Sequence, residues 1–224
     1  MQDLKVIYED NHIIVVEKTP NIPSQADKTG DIDMLTLVKD YIKERYNKPG
    51  NVYLGLVHRL DRPVGGIMVF AKTSKAASRL SNQVREKVFK KKYLAVVDGK
   101  IDKKEGSLED YLYKDERNNI SKVVSKEKKN SKLAKLDYKV LKYNEVKDLS
   151  LVEIDLHTGR HHQIRVQLSN FGHSIFGDQK YGTRGKGKQI ALWAYELTIE
   201  HPITKEKMTF KDLPEAVGTW CILK

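Results

Sequence analysis

The chain has 224 residues, a net charge of +11 and one cysteine, Cys221. A hydrophobic share of 39% against 32% charged residues suits a globular protein of one large or two small domains. No apolar run nears the ~20 residues of a membrane span. A lone cysteine excludes an intrachain disulfide and a cysteine-based metal cluster, and the opening Met1-Gln2-Asp3-Leu4-Lys5-Val6 lacks the basic head and long apolar core of a secretory signal. A bacterial-type cytoplasm is the expected home. The basic balance points to a polyanionic partner, a signal that needs motifs behind it.

In chain order, Val6–Glu9 and His12–Glu17 read as two short strands around a polar turn, and Pro20 and Pro23 punctuate the loop that follows. Met34, Val38, Tyr41 and Ile42 recur at helical spacing between Asp33 and Tyr46, with Asp31 or Asp33 as the cap. A strand through Val52–Val57 leads to a basic stretch and a sharp turn at Pro63 and Gly65-Gly66. Ile67–Ala71 is apolar enough to be buried in a sheet, and Ser74 is placed to cap a helix bearing Ala77, Leu80 and Val84. Lys91–Val97 is a further strand. Residues 114–132 are polar, lysine-rich and aperiodic, and read as a long excursion with a short strand at Val123-Val124. Strands resume at Leu136–Val140 and Leu149–Leu156, and a helix is expected from about Arg160 to Gly172. Ile190–Glu200 and Met208–Phe210 complete a strand-rich end. The expectation is one α+β domain over residues 1–224, with a mainly antiparallel mixed sheet flanked by helices.

Three segments carry chemistry. His58-Arg59-Leu60-Asp61-Arg62-Pro63 places a carboxylate among cations on a tight turn, which keeps it ionised and fixed. A lone aspartate near arginines is more often a surface ion pair. Lys91-Lys92-Tyr93-Leu94-Ala95-Val96-Val97-Asp98-Gly99 puts an aromatic ring in a strand, ordinarily a core position. His157-Thr158-Gly159-Arg160-His161-His162-Gln163-Ile164-Arg165 places His161 and Arg165 four apart, on one helix face, with Ile164 on the adjoining apolar stripe. Three histidines in six residues invite a metal reading. His157 precedes the helix, however, and no carboxylate or cysteine stands at a familiar zinc spacing, so no metal is expected.

Together these segments resemble the RluA-type pseudouridine synthases, whose landmarks are HRLDxxTSG, KxYxAxVxG and TGRxHQIR. Val64-Gly65-Gly66 stands here where that family has Thr-Ser-Gly. The Gly177–Gly182 and Leu192–Leu197 stretches resemble further family blocks and read as scaffold. The matching blocks run from about Ile7 to Pro214, and the S4 RNA-binding domain of many members is not expected. The resemblance implies an RNA uridine isomerase with Asp61 as catalytic aspartate, Tyr93 stacking on the target base, Ile164 in the apolar wall and Arg165 pairing with Asp61. It implies no cofactor.

Such chemistry breaks the N1–C1′ bond, turns the uracil and rejoins it through C5. Whether Asp61 attacks C1′, adds to C6 or takes the C2′ proton stays open. A paired uridine must be flipped out, with Arg59 the candidate to brace the vacated space. Arg62, Lys72, Lys91, Lys92 and Arg160 are candidates for phosphate contacts. The partner is structured RNA, ribosomal or transfer, and a monomer is expected. An RNA chaperone of the same fold and a hydrolytic N-glycosylase are the rival readings.

Overall fold

The computed structural model describes residues 4–224, so Met1, Gln2 and Asp3, where the reading of the N-terminus began, lie outside it. The fold is α+β, with a mixed, mostly antiparallel sheet. The chain divides into two compact units. Unit one runs to Lys91 and takes in Ala194–Leu213; unit two comprises Lys92–Trp193 and Pro214–Lys224.

Unit one is built on β2 (Ile13–Lys18) and β4 (Gly65–Ala71), paired antiparallel with Ile14 opposite Phe70 and Lys18 opposite Gly66. All seven residues of β4 are buried, which is why it is an unbroken apolar run and not an alternating one. On the outer side, β1 (Val6–Glu9) pairs with β2. The strand expected over residues 52–57 shortens to β3 (Gly55–Leu56), an antiparallel patch on β4. The unit also contains most of β10 (Leu192–Glu200), which pairs with β11 (Lys207–Lys211).

Two helices belong to unit one. In α1 (Met34–Arg45), Asp33 accepts from the amides of Leu35 and Thr36, so of the two candidate caps it is the later aspartate that acts. In α2 (Ser74–Arg85) the cap is Thr73, one residue before the expected Ser74, and its hydroxyl accepts from the Ala76 amide. Ala76 and Leu80 of α2 enter a core with Ile13, Val15, Val69 and Ile199. The buried Gln83 amide both donates to and accepts from the Glu200 backbone, at 2.7 and 3.0 Å, and so ends β10 as a paired strand would.

Unit two is an antiparallel series: β5 (Lys90–Asp98, from Lys92 onward in this unit), β9 (Leu149–Leu156), β8 (Lys132–Asn144), β6 (Glu105–Asp115) and β7 (Ile120–Val124). The excursion expected over residues 114–132 contains the end of β6 and all of β7, which takes in the short strand expected at Val123-Val124, with turns on either side of β7. Most of β6 is only partly buried and alternates weakly, so backbone pairing with β8 and β7 defines it more than apolar periodicity does. The last helix, α3 (Gln163–Asn170), starts three residues later than expected, because His162 adopts a left-handed conformation (φ 53°) that a helix cannot continue through. His161 is therefore not helical, and the shared face proposed for His161 and Arg165 does not exist. A 3₁₀ turn spans Gly218–Leu223. No helix among the described residues is long and apolar enough to cross a membrane.

Gly66 is dictated by close packing. Gly66 has φ +122°, and a Cβ there would lie 2.3 Å from the Ala194 carbonyl oxygen. Gly66→Ala should therefore cost on the order of 3 kcal/mol or more, since backbone and not a flexible side chain blocks the methyl. Urea unfolding of the variant against wild type measures it; a loss below about 1 kcal/mol would mean that the two strands can part at this point.

Candidate active site

The Asp61 turn lies wholly in unit one. The Val64 amide donates to the Asp61 carbonyl at 2.9 Å, and Pro63 stiffens the interior of the turn. On its N-terminal side the Ser24 hydroxyl donates to the Leu60 carbonyl at 2.8 Å and accepts from the Leu60 amide at 3.1 Å. On its C-terminal side the Asn21 amide donates to the Arg62 carbonyl at 2.9 Å. The ammonium of Lys18, which the sequence reading passed over, also donates to the Arg62 and Val64 carbonyls. Asp61 itself is partly exposed while Leu60 and Val64 are buried, so the carboxylate stands at the surface of a rigid turn.

His58 does structural work. Its Nε2 accepts from the Val69 amide at 3.1 Å, and its ring packs on Phe89 with centroids 5.0 Å apart. Burial pushes the imidazole down to about 3, with the Lys91 charge acting in the same sense. His58 is therefore neutral, with the proton on Nδ1, and it ties the segment before Asp61 to β4.

The cations of unit one differ in how far they are committed. Arg59 is exposed and makes no hydrogen bond or ion pair among the described residues. Arg62 is tied to the 21–31 loop: it donates to the Asn21 carbonyl and the Thr29 hydroxyl, both at 3.1 Å, and pairs with Asp31. Lys72 is held by Glu9 and the Asp10 carbonyl, each at 2.6 Å. Lys91 is half-buried, enclosed enough that burial pushes its ammonium down to about 8.

In unit two, Tyr93 is buried in β5 opposite Ile154, and Ile164 is buried in α3. Lys92 reaches Glu153 at 3.4 Å. The exposed Arg160 donates through Nε to the Leu133 carbonyl at 2.9 Å. Arg165 makes a buried fork with Asp178, through Nε to Oδ2 and Nη2 to Oδ1, both 2.7 Å. Asp178 Oδ1 also accepts from the amides of Lys180 and Tyr181, and the guanidinium lies 5.3 Å from the Tyr181 ring centroid. The Tyr181 hydroxyl accepts from the Ser121 amide at 2.7 Å and donates to His162 Nδ1 at 2.9 Å. Burial, followed by the Arg165 charge, holds the His162 imidazole well below its ordinary value, as an accepting nitrogen requires.

The Gly177–Gly182 stretch, read from the sequence as scaffold, thus supplies the carboxylate that orients Arg165. The three histidines go to separate partners: His157 to Asp137 at 2.6 Å, His161 to Ser121 at 3.0 Å and His162 to Tyr181. Among the described residues no group of three His, Cys, Asp or Glu side chains converges as metal ligands.

Comparison with known proteins identifies the family. A sequence model of the RNA pseudouridylate synthase family matches residues 12–170, and the chain belongs to that family, a family of isomerases. It is 34% identical over 206 residues to the uncharacterized RNA pseudouridine synthase YhcT of Bacillus subtilis, covering 91% of this chain and 66% of the relative. It is 33% identical over 214 residues to the dual-specificity RNA pseudouridine synthase RluA of Escherichia coli O157:H7, covering 93% of this chain and 92% of that one. The fold is shared with human RNA pseudouridylate synthase domain containing 1, at a TM-score of 0.77 and 24% identity over 98% of this chain and 86% of that one.

The buried neutral imidazole of His58 makes stability depend on acid in a defined direction. The unfolded chain takes up a proton at His58 as pH falls below about 6.5, whereas the folded chain resists until about 3. Stability is full above that window and is lost as pH falls through it. Urea unfolding at about pH 7.5 and pH 5 should show wild type losing about 2 kcal/mol more than His58→Gln. Equal losses would mean that His58 titrates freely in the folded protein.

Proposed function

We propose that the chain is an RNA pseudouridine synthase that isomerises uridines in structured RNA, ribosomal or transfer, with Asp61 as its catalytic carboxylate. The observation that carries this reading is the Asp61 turn. Hydrogen bonds from Ser24, Asn21 and Lys18 brace it on both sides, while the carboxylate remains at the surface. A carboxylate fixed in this way loses little entropy on meeting a substrate and cannot drift from its line of attack. The isomerisation needs a carboxylate, a clamp for the base and shelter from water.

In this reading Tyr93 offers its ring to the uracil, and Ile164 contributes apolar surface. Arg165 is aimed by Asp178, whose fork fixes the guanidinium plane in a way that a lysine could not reproduce. Arg59 is the cation best placed to brace a flipped nucleotide, because its guanidinium is not committed elsewhere. The net charge of +11 supplies a long-range attraction for the polyanion. The bonds broken and formed balance within the nucleoside, so the proposed reaction calls for no redox partner or cofactor.

Asp61→Asn keeps size and some hydrogen bonding while removing the charge. Tritium release from RNA carrying 5-tritiated uridine should disappear, with RNA affinity changed less than about twofold. Substantial residual turnover would remove Asp61 from its role. Free uracil and abasic sites from wild type would show a glycosylase instead. Mapping pseudouridines in cells lacking the gene would identify the RNA.

Tyr93 is tested by two substitutions. Phenylalanine keeps the stacking face, whereas alanine should weaken binding of an RNA carrying 5-fluorouridine by about 1–3 kcal/mol. Equal affinity for the alanine variant and wild type would make Tyr93 a core residue and nothing more.

A further inference from the structure

The tyrosine that closes α1 belongs to a charged cluster that the proposed reaction does not use. Tyr46 follows Arg45 as the C-cap residue of α1 and is 46% exposed. Its hydroxyl donates to Glu9 Oε1 at 3.0 Å, and the Lys72 ammonium donates to the same oxygen at 2.6 Å. The other oxygen, Oε2, accepts from the Tyr41 hydroxyl at 3.2 Å and lies 3.8 Å from Arg45 Nε. Three cations stand around the Tyr46 ring: Lys72 at 5.0 Å from its centroid, Lys48 at 5.8 Å and Arg45 at 5.9 Å. One carboxylate thus answers several cations, and the cluster keeps an excess of positive charge. Every member lies in unit one.

Part of this is what a helix end requires. Cations offset the negative end of a helix dipole, which accounts for Arg45. It does not account for Lys72, which follows the last residue of β4, or for a ring left half-exposed among cations. The hydroxyl pins that ring to Glu9, a side chain only 8% exposed. Burial opposes the charge of Glu9, but the Lys72 ammonium and the Tyr46 hydroxyl more than offset it and hold the carboxyl below its ordinary value, so the anchor stays ionised. The Lys48 ammonium makes no hydrogen bond or ion pair among the described residues.

A fixed aromatic face edged by cations fits a nucleotide, with the base on the ring and a phosphate on the ammonium or guanidinium. Because the ring is already held, little further freedom is lost when a base stacks on it. The seven-residue strand β4 separates the Asp61 turn from Lys72, which puts the cluster roughly 20 Å from that turn. We propose that Tyr46, with Lys48 and Arg45, is a second contact site for RNA, on which a base of a single-stranded segment outside the target nucleotide stacks. The inference rests on the reading of the chain as acting on structured RNA. The site adds affinity and favours RNAs with an unpaired flank, and it takes no part in the chemistry at Asp61.

The experiment measures binding by fluorescence anisotropy. Its probe is an RNA hairpin carrying 5-fluorouridine, with and without single-stranded tails of about ten nucleotides. Wild type should bind the tailed RNA at least about fivefold more tightly than the bare hairpin; equal affinities overturn the proposal. Tyr46→Ala should lose that preference while binding the bare hairpin as wild type does. A preference kept in Tyr46→Ala overturns the proposal, and so does an equal loss on both RNAs, which would mean that the residue acts through the fold.

Lys48→Ala, at an exposed position, should weaken binding of the tailed RNA and lower its salt slope by about 0.7, the share of one phosphate on a single strand. Unchanged affinity and slope overturn the proposal, and this variant decides should Tyr46→Ala fail to fold. Neither arm uses turnover. Wild type that binds both RNAs but forms no pseudouridine refutes the isomerase reading, and the preference for the tailed RNA then still judges Tyr46.

Discussion

Strand β4 is buried along its whole length, and the polar turn bearing Asp61 opens directly onto it. A turn in that place has backbone carbonyls that neither a ladder nor bulk water can satisfy, and each must find a donor. The Arg62 and Val64 carbonyls take theirs from a buried ammonium, with an Asn21 amide adding to the first, and Leu60 takes its donor from a serine. The same requirement explains His58, whose neutral imidazole accepts from the Val69 amide within β4. Satisfying this backbone makes the turn rigid, and rigidity is what a reacting carboxylate needs. In the proposed reading of Asp61, stability and function are served by the same hydrogen bonds.

Unit two solves a related problem with a buried charge. Arg165 is 4% exposed, and its cost is offset by a fork to Asp178, whose Oδ1 takes two further backbone donors. Tyr181 then joins the arginine to His162, and His162 immediately precedes the helix on which Arg165 sits. The left-handed residue that delays α3 is thus built into the group that orients the guanidinium. A change at Asp178 or Tyr181 acts on Arg165 without altering its identity.

Much of this could be read in advance, and the failures have a common physical cause. The apolar run of β4, the Asp33 cap and the Asp61 turn are local patterns, fixed by residues within a few positions of one another. Lys18 and Asp178 were missed because their meaning lies in partners 46 and 13 residues away. A lysine at the end of a strand looks like any solvated lysine, and an aspartate in a glycine-rich turn looks like any turn former. Strand β6, and β7 beyond the Val123-Val124 pair expected for it, escaped for a different reason. Their ladders form between partly exposed residues, so hydrophobic periodicity carries little trace of them. The one signal that would have found Asp178 is the Gly177–Gly182 block itself, whose aspartate and tyrosine both belong to the arginine cluster.

The distribution of cations bears on how such a chain would engage a polyanion. Arg62, Lys72 and Arg160 are each tied to internal acceptors, and Lys92 lies within reach of Glu153. A cation held in this way still contributes to the field around the protein, but it cannot swing out to meet a phosphate without breaking what it holds. Field and contact are therefore separable in this chain. Long-range attraction draws on the whole excess of +11, whereas close contacts fall to uncommitted side chains, of which Arg59 stands two residues before Asp61. Salt should accordingly weaken approach more than it weakens the final seating of a nucleotide at the turn, because screening acts on the exposed field and much less on groups that have already shed water.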